Sequence, residues 1–238
     1  MTMIFRTTAA CAALLALTAC VVPEGTGTST AAPSATTTVA GTSGTVQRFN
    51  RVVARTERVA EQVCRDRVRS GTNCDFRIVY VSDPRQPANA YQSEDASGRP
   101  VLTFTAALVE DTRNDDELAF VLGHEAAHHI RGHLTQTRQT ATIGALAGGT
   151  LAVLLGGGQS AVDAGVNLGG TVGARAYSKD HELEADALGA RIAHNAGYDP
   201  VKGAAFFQRI PDPGDRFLGS HPPNAQRIET VRRTAASF

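Results

Sequence analysis

Residues 123–128 read Gly-His-Glu-Ala-Ala-His, an H-E-x-x-H pattern. On an α-helix, histidines four apart project from one face, so the imidazoles of His124 and His128 can reach a single metal ion. Glu125 points about 100° away from His124. From there its carboxylate can touch a water on the metal without binding the metal itself. A Zn²⁺ held in this way lowers the pKa of its bound water to roughly 7, and a neighbouring carboxylate can take the proton. The chemistry is metal-assisted hydrolysis of an amide. Glu125 is the candidate general base, which later delivers a proton to the leaving amine.

A catalytic zinc usually keeps three protein ligands and one open position. The pattern with glycine seven and histidine ten residues after the first His is excluded, because those positions are Arg131 and Leu134. The best source of a third ligand is the run His181-Glu182-Leu183-Glu184-Ala185-Asp186. Glu182 and Asp186 lie one turn apart and share a helix face. Glu182 is the candidate third ligand of one Zn²⁺ per chain. Asp186 is the candidate acceptor for the second ring N–H of a ligating histidine. Glu184 lies about 200° from Glu182 around the helix and cannot share that task. A solvated acidic helix face is the plain alternative for this run; the upstream motif favours the metal. His129 and His133 are four apart as well. They can mimic a second metal pair, but helix packing or exposure is the simpler reading. His194 has no partner at ligand spacing and reads as structural.

With these residues in view, the chain resembles the zinc metalloprotease family that includes HtpX, BepA and the CAAX prenyl proteases (metallopeptidase family forty-eight). That family pairs H-E-x-x-H with a downstream E-x-x-x-D, matched by Glu182 and Asp186. Its S-R-x-x-E run is similar to Ser178-Lys179-Asp180-His181-Glu182, with Lys for Arg. Pro87-Ala88-Asn89-Ala90-Tyr91 is similar to its N-A-F segment, and residues 114–125 to the entry of its active-site helix. Ser220-His221-Pro222 followed by Arg227 matches its T/S-H-P-x-x-x-x-R pattern. The resemblance covers roughly residues 64–233 and is closest in layout to BepA-like periplasmic proteases. It implies three readings for His221: donor to the developing oxyanion, fourth zinc ligand that silences the site, or a histidine placed by Pro222 and Pro223. Arg227 is expected either to pair with a carboxylate near the site or to lie at the surface.

The first residues read as a targeting segment. Arg6 is their only charge, and Leu17-Thr18-Ala19-Cys20 looks like a bacterial lipobox. Residues 1–19 are therefore expected to be a lipoprotein signal peptide, with Cys20 carrying the acyl chains, palmitate among them. Val22 after Cys20 is not the usual inner-membrane retention signal, so the resemblance implies an outer-membrane anchor facing the periplasm. Residues 20–45, rich in Thr, Ser, Ala and Gly, read as a tether, and residues 46–238 as one domain. Formal net charge is zero, which argues against a nucleic-acid partner. Cys64 and Cys74 are the expected disulfide in an oxidising compartment.

Apolar spacing predicts a helix over 46–70, strands over 76–81 and 101–105, and helices over 201–209 and 224–235. Asn114 and Glu117 form a capping pair for the helix carrying His124. Ser178 is expected to cap the helix of Glu182, and Gly197 to end it. Residues 141–173 are rich in Gly and Ala, with Asp163 their only charge. They predict a helical hairpin packed over the active-site helix, or a flap that touches membrane or substrate. The expected fold is α+β and zincin-like: mostly helical, with a small sheet beside the active-site helix. Strand 101–105 has two readings, an edge that holds extended substrate or an ordinary sheet strand. The expected function is a zinc endopeptidase of envelope quality control at the outer membrane. Its partners would be unfolded or misassembled envelope proteins, the membrane through the lipid anchor, and outer-membrane assembly machinery. The rival is a non-cleaving, chaperone-like assembly factor with a closed zinc site.

Overall fold

The computed structural model describes residues 44–68, 71–216 and 219–238. The signal peptide, Cys20 and the tether up to residue 43 lie outside the described residues. Helix α1 (Gly44–Arg67) begins two residues before the expected start of the domain at 46. Its buried positions Phe49, Val52, Thr56, Ala60 and Cys64 repeat at three and four residues, one stripe of a 3.6-residue period. The stripe packs on the sheet, where the Phe49 and Phe104 rings lie 5.6 Å apart.

The described strands form one three-stranded sheet, β1 (Arg77–Val81), β2 (Ala90–Glu94) and β3 (Pro100–Thr105), in the order β1-β3-β2. β3 pairs parallel with β1 and antiparallel with β2, Tyr91 opposite Thr103. β3 is buried at all six positions. This corrects the edge reading of strand 101–105: β3 is central, and the edge facing the site is β2, which alternation does not reveal. Thr105 ties that edge down. Its hydroxyl donates to the Pro87 carbonyl at 3.0 Å, accepts from Asn89 N–H at 2.9 Å, and caps α2 (Ala106–Asp111).

Helix α3 (Asp115–Arg131) carries its start and stop signals in the sequence. The Asn114 side chain accepts from Glu117 N–H at 2.9 Å, and Glu117 reaches back to Arg113 N–H at 2.7 Å. Asp115, Asp116 and Glu117 fill the first turn, and His128, His129 and Arg131 the last, each suiting the helix dipole. Gly132, at φ 70°, ends the helix in the left-handed conformation that a side chain would disfavour. Buried Glu117 also takes a forked pair from Arg209 at 2.6 and 2.7 Å, which the sequence reading missed.

Helices α4 (His133–Leu154) and α5 (Gln159–Arg175) form the predicted hairpin. A Cβ placed on Gly144, Gly148, Gly165 or Gly169 would come within 2.4 Å of a carbonyl on the opposite helix, so the two backbones touch. The hairpin does not cover α3, which corrects the packed reading. Its contacts are mainly internal, α5 buries no residue, and Ile143, Leu146, Leu154 and Leu168 stay exposed. Small residues fill the seam, leaving the large apolar ones outside. Among the described residues no helix is long and apolar enough to cross a membrane.

Helix α6 (Ser178–Asn195) crosses α3 at Gly123 and Gly189. Ser178 is its first residue rather than its cap: the hydroxyl donates backward to the Arg175 carbonyl and across to Gly219. Gly197, at φ 83°, ends the element as expected. Residues 201–209 form a short α7 (Pro200–Gly203) and a 3₁₀ turn, Ala204–Gln208, in place of one helix. Helix α8 (Asn224–Ala235) closes the fold. His194 stacks on Phe238 at 4.2 Å, the structural role expected of it.

Cys64 and Cys74 are bonded, fastening the end of α1 to the segment before β1. Closing a loop over this separation of 10 residues restrains the unfolded chain by about 3 kcal/mol. The double variant Cys64→Ser, Cys74→Ser is expected to lose about 2–3 kcal/mol of stability in denaturant unfolding. An unchanged midpoint would show that the bridge restrains nothing.

Candidate metal centre and active site

The crossing of α3 and α6 places His124, His128 and Glu182 together, with one ligand atom from each within 4.8 Å of the others. The Nε2 atoms of His124 and His128 lie 3.1 Å apart, and they stand 3.6 and 3.3 Å from the Glu182 oxygens. Donors bound tetrahedrally at about 2.0–2.1 Å sit roughly 3.3 Å from one another, so these separations suit an ion of that size. Both Nδ1 atoms have partners, Asp186 at 3.0 Å and His133 at 2.9 Å. With both Nδ1 atoms engaged, the two Nε2 atoms face each other and the Glu182 carboxylate, where they can ligate a cation. Charge points the same way. Glu125, Glu182 and Asp186 are buried carboxylates, and Arg227 is the buried cation among them. A divalent ion suits this excess of buried acidic groups. The donor set, two imidazoles and a carboxylate, suits a divalent metal ion.

Asp186 is fully buried and holds the second nitrogen of His124, the role its spacing suggested. Arg227, from α8, is buried rather than at the surface. It donates to Asp186 through Nε and Nη2 at 2.8 and 2.7 Å, lies 3.2 Å from Glu182, and stacks over Phe207 at 4.0 Å. Burial raises the Glu182 pKa, but hydrogen bonds from His128 and His221 and the charges of His124 and Arg227 outweigh it. The carboxyl is held far below the usual range. Asp186 is likewise raised by burial and lowered further by Arg227 and His124. His124 is depressed by burial, yet the Asp186 bond and the Glu182 charge raise it on balance.

His221 stands at the rim, half exposed. Its Nδ1–H donates to Glu182 at 3.0 Å, so it meets a ligand carboxylate. Glu125 is buried in the wall of a cleft of about 650 Å³ that also holds the three metal-site residues. Ala90, Tyr91 and Gln92 of β2 form one side of the cleft, and Phe206, Phe207 and Ile210 another. Neither Asn89–Gln92 nor the 3₁₀ turn carries a residue that spacing alone would single out.

His129 and His133 do not form a second metal pair. His129 donates through Nε2 to the Asn73 carbonyl at 2.8 Å and lies edge-on to Phe76, packing α3 against the disulfide loop. His133 is buried against His128 and stacks on His181 at 4.3 Å. Burial first, then the neighbouring His128, His181 and Arg131, push its pKa down to about 3. Glu184 faces away from the donors, as its helix angle requires, and stands 3.6 Å from His133 Nε2.

Comparison with known proteins meets this geometry from the other side. Similar chains include a Vibrio cholerae protein that carries the beta-barrel assembly-enhancing protease name, 30% identical over 58% of this chain and 31% of its own. The mitochondrial metalloendopeptidase OMA1 of Saccharomyces cerevisiae is 29% identical over 66% of this chain and 46% of its own. A beta-barrel assembly-enhancing protease of Yersinia pestis is 26% identical over 56% and 30%. The chain thus spans between three tenths and just under half of the length of these relatives. The family model of peptidase family M48 matches residues 47–235, from the start of α1 to the end of α8, and with both ligand helices and the arginine behind them inside that span, this chain belongs to peptidase family M48.

Proposed function

We propose that this chain is a zinc-dependent endopeptidase that cleaves unfolded or misassembled proteins of the bacterial envelope. The observation that carries the reading is the convergence of His124, His128 and Glu182 on one point, with Glu125 buried beside it in an open cleft. His124, His128 and Glu182 would hold the ion, which would supply Lewis acidity toward a peptide carbonyl and a water. Glu125 takes a proton from the attacking water and passes it to the departing amine. Asp186 and Arg227 hold His124 and Glu182 in place. His221, held to Glu182 through Nδ1, donates from Nε2 to the developing oxyanion when both ring nitrogens carry a proton. The open β2 edge supports docking of an extended chain by strand addition, which reads backbone before sequence and suits unfolded substrates. Envelope location and lipid anchoring at Cys20 rest on the lipobox, and the beta-barrel assembly named in two of the relatives is in keeping with an envelope protease, while a third is named as mitochondrial.

The rival is a non-cleaving assembly factor in which His221 closes the site. Its position on Glu182 favours considering it. Zinc content and cleavage of an unfolded protein, measured on wild type, Glu182→Ala and His221→Ala, decide between them. The proposal expects zinc and cleavage in wild type, neither in Glu182→Ala, and zinc with at least tenfold slower cleavage in His221→Ala. A surge of cleavage in His221→Ala identifies a site that His221 holds shut. Zinc in wild type without cleavage sinks the peptidase reading, and unchanged zinc in Glu182→Ala refutes the ligand set.

A further inference from the structure

Both candidate ligand histidines need their Nε2 lone pair turned to the metal, and a neutral imidazole then carries its proton on Nδ1. For His124 that proton meets the Asp186 carboxylate. For His128 the atom within reach is different: Nδ1 of His133, at 2.9 Å. One proton lies between these two nitrogens, and its owner follows from the other end of the ring. As a metal ligand through Nε2, the nitrogen that faces His124 and Glu182, His128 must keep its lone pair there, so its Nδ1–H is the donor. Nδ1 of His133 must accept. His133 then carries its own proton on Nε2, which is buried without a hydrogen-bond partner, 3.6 Å from a Glu184 oxygen.

We propose that His133 is a positioning residue for the metal ligand His128, accepting its Nδ1–H and thereby setting both its tautomer and its ring plane. The reading rests on the metal site proposed above. His133 is built for the task. It is 3% exposed, and it is the first residue of α4, so the tight Gly132 turn between α3 and α4 sets its place. Its ring lies nearly parallel to that of His181, at 11°, and His181 directly precedes the ligand Glu182. Residues at both roots of the hairpin therefore bear on the metal site. The two ligands are also held unequally. A carboxylate locked by Arg227 raises the basicity of His124, whereas a neutral ring leaves His128 the weaker donor.

The test separates hydrogen-bond acceptance from packing. His133→Leu and His133→Asn share the same branched outline of four side-chain heavy atoms, and only Asn offers an oxygen to His128; His133→Phe keeps the stack on His181 without an acceptor. Zn²⁺ affinity is measured by competition with a chromophoric chelator, and the visible spectrum is taken after Co²⁺ substitution, alongside unfolding midpoints. The Leu and Phe variants are expected to lose about 10–100-fold in affinity and to shift the Co²⁺ bands, with Asn within about fivefold of wild type. Wild-type affinity and spectrum in Leu and Phe overturn the proposal, as does an Asn variant that falls as far as they do. Glu182→Ala in the same titration keeps the two readings apart. If wild type and Glu182→Ala bind alike, the metal site itself is wrong. If only the His133 series is flat, the metal site stands and the positioning role fails.

Discussion

Glu125→Gln is expected to slow cleavage of an unfolded protein by about 10²–10⁴-fold while zinc content stays at the wild-type level. The substitution keeps the size and polarity of the side chain and removes its ability to take a proton. Glu125 sits on α3 between the two histidines, buried in the cleft wall and outside the three-donor cluster. The donors and their supports at Asp186, His133 and His221 are untouched, so metal binding should not follow activity. One buried carboxylate fewer beside Arg227 changes the local charge, so the unfolding midpoint should be recorded with the rate. Near-wild-type turnover in the zinc-loaded Gln variant would remove Glu125 from the chemistry. Loss of zinc together with activity would recast it as part of the metal site.

Gly189→Ala is expected to destabilise the protein by about 1–3 kcal/mol and to weaken zinc binding at least tenfold, although it adds one methyl group. In most helices the same change is favourable by up to about 1 kcal/mol. Here a Cβ would stand 2.7 Å from the backbone nitrogen of His124 and 2.9 Å from its Cα. Backbone cannot rotate aside, so α3 and α6 must separate, and Glu182 moves away from His124 and His128. Metal sites tolerate errors of about 0.2 Å in ligand distance, which makes affinity the sensitive readout. Gly170→Ala is the control, because a Cβ there meets nothing closer than 3.6 Å. It should leave zinc binding unchanged and stability equal or higher. Equal tolerance of both substitutions, in denaturant unfolding and chelator competition, would show that the crossing does not set the site.

What the sequence determined by itself is what short-range geometry governs. His124, Glu125 and His128 take their relation from one helix turn, as do Glu182 and Asp186 from another. The Asn114–Glu117 cap and the Gly197 stop are equally local, because they depend on backbone groups within a few residues. Cys64 and Cys74 were legible because a short loop brings them together. The family motifs carried the pairing of Glu182 with His124 across the intervening chain.

Only the tertiary structure decided the rest. Arg227 had two readings until α8 folded back and buried it on Asp186. Strand 101–105 became central because β2, a polar segment without alternation, adds to its other side. The hairpin has helical pattern and small residues in the sequence, but nothing local says that its seam closes on itself and leaves α3 uncovered. His133 read as packing or solvent because its partner, His128, is reached only after the chain turns at Gly132. Gly123 and Gly189 carry no pattern; their meaning is the distance between two backbones. Periodicity reports which face of an element is apolar, whereas the partner of that face depends on chain reversals and on contacts between segments far apart in sequence. This site is assembled from such contacts.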